Sequence, residues 1–115
     1  MYKSVLLDWS KVDDDAKVAI AKACVSGDNL DKMAIEEPNN TRMCVQIAQN
    51  PHVMPLTLVE LAKRGSGYVR ELVAAHKDTP VEALMVLYLD ELETVRKAAR
   101  NNPNMPLSVL EMMDN

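Results

Sequence analysis

Apolar residues recur along the chain at intervals of three and four, and the pattern itself returns with a fixed period. Val69-Arg70, Asp78-Thr79-Pro80, Ala83-Leu84 and Leu87 reappear 26 residues later as Val95-Arg96, Asn104-Met105-Pro106, Val109-Leu110 and Met113. Met43, Met54, Thr57-Leu58 and Leu61 stand one period earlier. Leu30 and Met33 stand one before that, with two extra residues absorbed in Glu36-Glu37-Pro38-Asn39-Asn40-Thr41. Three-and-four spacing lines one face of a helix with apolar side chains, so each period predicts a pair of short helices. First helices are expected over about 16–25, 42–49, 68–76 and 94–101, and second helices over about 28–36, 55–64, 80–90 and 106–113.

The punctuation agrees with this division. Asn50-Pro51-His52-Val53-Met54-Pro55 and Asn102-Pro103-Asn104-Met105-Pro106 are near copies of one turn. A proline near the start of a helix preorganises its first turn, and the residue before it is pushed to extended geometry, which sharpens the corner. A single helical pair cannot bury its apolar face alone, so the units must stack. The predicted fold is all-α: a right-handed or left-handed α-solenoid of about four short helical-hairpin repeats, without β-sheet. The whole chain, 1–115, reads as one domain. Residues 1–27 form an N-terminal capping element, in which Val5-Leu6-Leu7 and Trp9 close the first core face, and 28–115 carry the repeats. Asp13-Asp14-Asp15 fits the acidic start of a helix.

Leu61-Ala62 through Val69-Arg70, Leu87-Tyr88-Leu89-Asp90 through Val95-Arg96, and Asn102-Pro103-Asn104-Met105-Pro106 resemble the leucine-rich repeat variant and the wider HEAT-like (armadillo-type) short helical repeats. The likeness covers about residues 28–115 and is strongest from 41 onward. It implies alternating short helices without strands. It also implies a hydrogen-bonded ladder between neighbouring units, made by an aspartate and an arginine six positions on, as Asp90 and Arg96 stand here. Arg64 takes the acidic place before Arg70, and Cys44 takes a basic place, so the implied ladder is interrupted. The cysteine cluster that precedes the repeats in one type of this family has no counterpart, and the resemblance implies no cofactor.

Composition narrows the function classes. The chain has 115 residues, 48% of them apolar, which is enough to form a core without metal or disulfide staples. A net charge of -4 gives no electrostatic footprint for nucleic acid or an anionic membrane. No apolar run approaches the roughly 20 residues of a membrane span, and the run Val5-Leu6-Leu7 is too short for a signal peptide. The expected location is the cytoplasm, where Cys24 and Cys44 stay thiols.

The residue types that could carry chemistry have structural readings. His52 and His76 have no further ligand at metal spacing, and His76 occupies the corner position of Asn50 and Asn102. Asp13-Asp14-Asp15 lacks the alternation and terminal glutamate of a calcium loop. Gly65-Ser66-Gly67 lacks phosphate-loop spacing and reads as a flexible connection. No serine lies in a nucleophile elbow, and neither cysteine has an evident base. The sequence therefore predicts no enzyme, no metal and no cofactor.

The stronger functional signal is apolar surplus in the second helices. In Pro80–Leu89 the core requires Ala83, Leu84 and Leu87, which leaves Met85, Val86, Tyr88 and Leu89 over, and a helix apolar all round is covered by something. Val59 shares the repeat position of Met85, and Met112 that of Val86. The predicted function is a non-enzymatic protein–protein interaction module, an adaptor or regulator. Its partner-binding surface takes Val59, Met85, Val86, Tyr88 and Met112 as apolar anchors and Glu60, Lys63, Glu82 and Glu111 as charged rim. The partner is an unidentified protein. A homodimer is a second outcome, since the final helix carries few charges for a polar end face. Two alternatives stand beside it: a nucleic-acid-associated regulator using Arg64, Arg70, Lys97 and Arg100, and a small acidic inhibitor of another protein. Interleaved carboxylates and the lack of a stacking aromatic series disfavour nucleic acid.

Overall fold

In the computed structural model, which describes residues 8–114, eight α-helices follow a 3-10 turn at Trp9–Lys11. They are α1 (Asp14–Ala23), α2 (Gly27–Glu36), α3 (Thr41–Gln49), α4 (Pro55–Arg64), α5 (Gly67–Ala75), α6 (Val81–Tyr88), α7 (Glu93–Arg100) and α8 (Leu107–Asp114). No strand occurs among the described residues. Every α-helix begins and ends within two residues of its expected position, and the 3-10 turn was not expected.

Side chains at the predicted boundaries set these ends. Asp13 accepts the Ala16 N–H at 2.8 Å, Ser26 that of Asn29 at 3.1 Å and Asn40 that of Met43 at 3.2 Å, each closing an unpaired amide of a first turn. Pro55 opens α4 as its first residue, whereas Pro80 stays extended at φ −65° and ψ 155°, so α6 starts one residue later than expected. At the other end α6 stops two residues early. The amides of Leu89 and Asp90 bond three residues back, to Val86 and Leu87, and the tightened turn lifts both out of the helix.

First helices pack on first helices, α1 on α3, α3 on α5 and α5 on α7, while α2 packs on α4 and α4 on α6. Contacts of α4 with α5 and of α6 with α7 join the two sets, and the molecule measures 54 × 22 × 16 Å. Leu30, Leu58 and Leu84 are fully buried between them, as are Leu61 and Leu87, while Leu110 and Met113 on α8 are half-buried. Trp9 packs on the core at the other end, and Val5-Leu6-Leu7 lie outside the described residues. Gly65-Ser66-Gly67 is a tight corner, not the flexible connection expected. A Cβ on Gly65 would stand 2.7 Å from the Leu61 carbonyl, and one on Gly67 2.5 Å from Leu92 Cδ1.

The corner position repeats with a chemical variation. Asn50 donates from Nδ2 to the carbonyls of Ala21 (2.9 Å) and Cys24 (2.8 Å), and accepts the His52 N–H at 2.8 Å. Asn102 does the same with Ala74 (2.8 Å), His76 (2.9 Å) and Asn104 (2.8 Å). His76, at the third such corner, accepts the Asp78 N–H on Nδ1 at 3.0 Å, but spans no gap to the preceding first helix. Burial holds its imidazole below the ordinary value of 6.5, with Lys77 acting in the same direction and Asp78 against it. A histidine with a depressed folded pKa stabilises fully above the unfolded value. That stability is lost as pH falls below about 6.5. His76→Asn, which by register reaches the carbonyls of Ala48 and Asn50, is expected to add about 1 kcal/mol. It should also remove the His76 contribution to acid sensitivity below that pH. Thermal unfolding of both proteins from pH 7.5 to 5 checks this, and a lower melting temperature at every pH would refute the missing brace.

Candidate functional site

Three of the four first helices carry a cation at the fourth helical residue: Lys17 in α1, Arg70 in α5 and Arg96 in α7, with Cys44 in α3. In this position a side chain reaches back over the connection entering the helix. Cys44 Sγ donates to the Glu37 carbonyl at 3.4 Å, Arg70 Nη1 to Gly65 at 2.9 Å, and Arg96 Nη1 to Asp90 and Glu91 at 2.8 and 3.0 Å. Burial, with Glu37 adding to it, pushes the Cys44 thiol up to about 11, so it serves as a donor and not as a nucleophile.

Two of the cations also hold a carboxylate twenty residues on. Lys17 Nζ binds Glu37 Oε2 at 2.6 Å, and the indole of Trp9 donates to the same oxygen at 2.6 Å. Arg70 grips Asp90 through Nε (2.7 Å) and Nη2 (3.2 Å), and the Leu92 N–H closes on Asp90 Oδ1 at 3.0 Å. Burial raises the pKa of both carboxyls, but for Glu37 the Lys17, Asn40 and Trp9 bonds outweigh it, and for Asp90 the Arg70 and Leu92 bonds do, so both end below the ordinary range. The side chain six residues after Asp90 therefore corrects the expected ladder. Arg96 takes backbone carbonyls, and the aspartate goes to Arg70.

Asp90 and Leu89 line both of two surface hollows: the early stop of α6 turns Leu89 outward, while the Asp90 side chain stays mostly buried on Arg70. One hollow, of about 440 Å³, is lined by Ala62, Lys63, Arg70, Val86 and Glu91 as well. The other, of about 490 Å³, is lined by Tyr88, by the cations Arg96, Lys97 and Arg100, and by Glu93. Leu89 is 73% exposed and Val86 50%.

The predicted partner-binding residues separate into three groups. Lys63 and Val86 come together in the first hollow, and Tyr88 lines the second. Met112 is 61% exposed, on α8. Glu82 and Glu111 are exposed, whereas Val59, Glu60 and Met85 are half-buried, and none of these six lines either hollow. The Tyr88 hydroxyl is bonded to Asp114 and accepts from Arg100 at 3.1 Å. Each cation of the nucleic-acid set has a carboxylate: Arg64 has Glu60 at 3.0 Å, Arg70 has Asp90, Lys97 has Glu93 at 3.5 Å, and Arg100 has Asp114 at 2.6 Å.

Sequence reasoning left Leu89 and Arg96 out of the site. The signal for Leu89 was present in the repeat register, since Lys63 holds the same place one unit earlier and marks it as solvent-facing. Arg96 was assigned to a ladder with Asp90 and was not among the residues offered for binding. No helix among the described residues is long and apolar enough to cross a membrane. Comparison of the chain with models of protein families, with curated proteins and with solved structures finds no match.

Proposed function

We propose that the chain is a non-enzymatic protein-interaction module, an α-solenoid of short HEAT-like repeats that binds a protein partner through its second-helix surface. The observation that carries this reading is the exposure of Val86 and Leu89, two large apolar side chains, of which Leu89 lines both hollows and Val86 the smaller one. The stacking of α1, α3, α5 and α7, and of α2, α4 and α6, supports the repeat reading, as do the braces made by Asn50 and Asn102. Apolar anchors in concave, partly desolvated settings are where binding energy concentrates. The cations offered for nucleic acid are engaged with carboxylates and lend that alternative no support.

Val86 and Met112 are the residues to test, because both are exposed, whereas an aspartate at half-buried Met85 would also disturb packing. Val86→Asp combined with Met112→Asp is expected to weaken capture of the partner, or self-association, by at least about tenfold while helicity is kept. Light scattering reads the self-association, and affinity capture from native cytosol followed by mass spectrometry reads the partner. Unchanged mass and unchanged captured proteins in the double variant would remove the proposal.

A further inference from the structure

The register of the first helices makes Arg96 the counterpart of Arg70. Both are fourth residues of their helices, and each uses Nη1 on the carbonyl just ahead of the N-cap, Gly65 for Arg70 and Glu91 for Arg96. Arg70 spends the rest of its guanidinium on the two oxygens of Asp90. Lys17, in the same position, holds Glu37. Among the described residues no carboxylate forms an ion pair with Arg96, and its side chain lines the larger hollow beside Tyr88, Leu89, Lys97 and Arg100. A planar guanidinium already fixed by two carbonyl bonds is preorganised for a carboxylate, and bidentate pairing of this kind is the strong, geometrically selective form of the contact.

We infer that the hollow at Arg96 takes an acidic peptide segment of a partner protein, an aspartate or glutamate on Arg96 with an adjoining apolar side chain on Leu89, repeating between molecules the contact that Arg70 and Asp90 make within the chain. Two observations select this occupant. The lining brings three cations, Arg96, Lys97 and Arg100, against two carboxylates, Asp90 and Glu93. Asp90 is held by Arg70, Glu93 by Lys97, and Arg100 by Asp114, so the charge left over is that of Arg96 and its complement is a carboxylate. Leu89 and Tyr88 give the same hollow an apolar wall, which suits a peptide better than a bare phosphate backbone. The inference rests on the reading of the chain as a protein-binding module and adds the chemistry of the partner.

The test measures fluorescence anisotropy on the full chain with three labelled probes: a short blocked peptide alternating Leu with Asp and Glu, its counterpart with Asn and Gln, and a single-stranded oligonucleotide. The acidic peptide should bind best and weaken with salt. Arg96→Gln should reduce its affinity by at least about tenfold, and Lys22→Gln, which removes an exposed cation on α1, should leave it unchanged. Arg96 also braces the turn before α7, so Leu89→Ser serves as a second variant that leaves those carbonyl bonds in place, and it too should weaken the acidic peptide. Equal binding of the acidic and amide peptides, preference for the oligonucleotide, no binding of any probe, or wild-type affinity in folded Arg96→Gln and Leu89→Ser would each overturn the inference. Such a failure leaves the module reading to the Val86 and Met112 variants, whose association assay uses no acidic probe.

Discussion

Leu84→Ala is expected to destabilise the protein by about 3–4 kcal/mol, and Leu58→Ala by the same amount, whereas Leu110→Ala should cost only about 1–2 kcal/mol. The three leucines share one repeat position, so sequence alone predicts equal effects. Burial separates them: Leu58 and Leu84 are fully enclosed, with α4 packed on both α2 and α6, while Leu110 on α8 remains half-buried. An enclosed truncation leaves a cavity as well as losing transfer free energy, and a half-exposed one lets solvent fill the space. Against a total stability of roughly 5–15 kcal/mol for a domain of this size, the larger loss is readily seen in a urea titration. Equal midpoints for Leu84→Ala and Leu110→Ala, at constant slope, would mean that α8 is as deeply packed as α6.

The second large effect is at Asp90. Asp90→Asn is expected to cost about 2–3 kcal/mol at pH 7, because it leaves a mostly buried Arg70 guanidinium without its counter-charge. The pH dependence has a definite sign. A carboxyl whose folded pKa lies below its ordinary value of 3.8 contributes stability above that value, and the contribution is lost as pH falls through the folded pKa. The asparagine variant lacks this component, so the stability difference between the two proteins should shrink on acidification below about pH 4. Glu37 titrates in the same direction against Lys17, but it is common to both proteins and drops out of the difference. Replacing Arg70 and Asp90 together by leucine should cost less than the two single changes summed, since no isolated charge remains. A difference that stays constant from pH 7 to 3 would show that Asp90 stabilises by shape alone.

The helices were legible because each kind of boundary has its own chemistry. Asp13, Ser26 and Asn40 cap by short side-chain acceptors, and Pro55 opens a helix, all readable as residue types. The core was legible for the same reason: Leu30, Leu58 and Leu84 keep one phase, and phase decides which face is covered. The site was only half legible. Periodicity marked Val86 and Met112 as more apolar than the core requires, and both are exposed. It could not show that Leu89 and Asp90 leave the helix, since that turn depends on three-residue backbone bonds and on the hold of Arg70, twenty residues back, on Asp90. Likewise the spacing of Asp90 and Arg96 suggested a pair, but an aspartate near two arginines goes to the one whose fork reaches both oxygens. Partner choice among charges is settled by three-dimensional reach, which a spacing of six residues does not encode.

The Asn50 brace closes 29 residues of chain, the widest separation bridged by any side-chain hydrogen bond among the described residues, and the principal helix contacts join elements no more than two apart. Small loops are cheap to close and do so in well under a microsecond to a few microseconds, so the polypeptide acquires its contacts in succession without waiting for distant ends to meet. Such low contact order places refolding in the fast, microsecond-to-millisecond range of helical domains. On the ribosome, the earliest helices can condense while the last are still being synthesised.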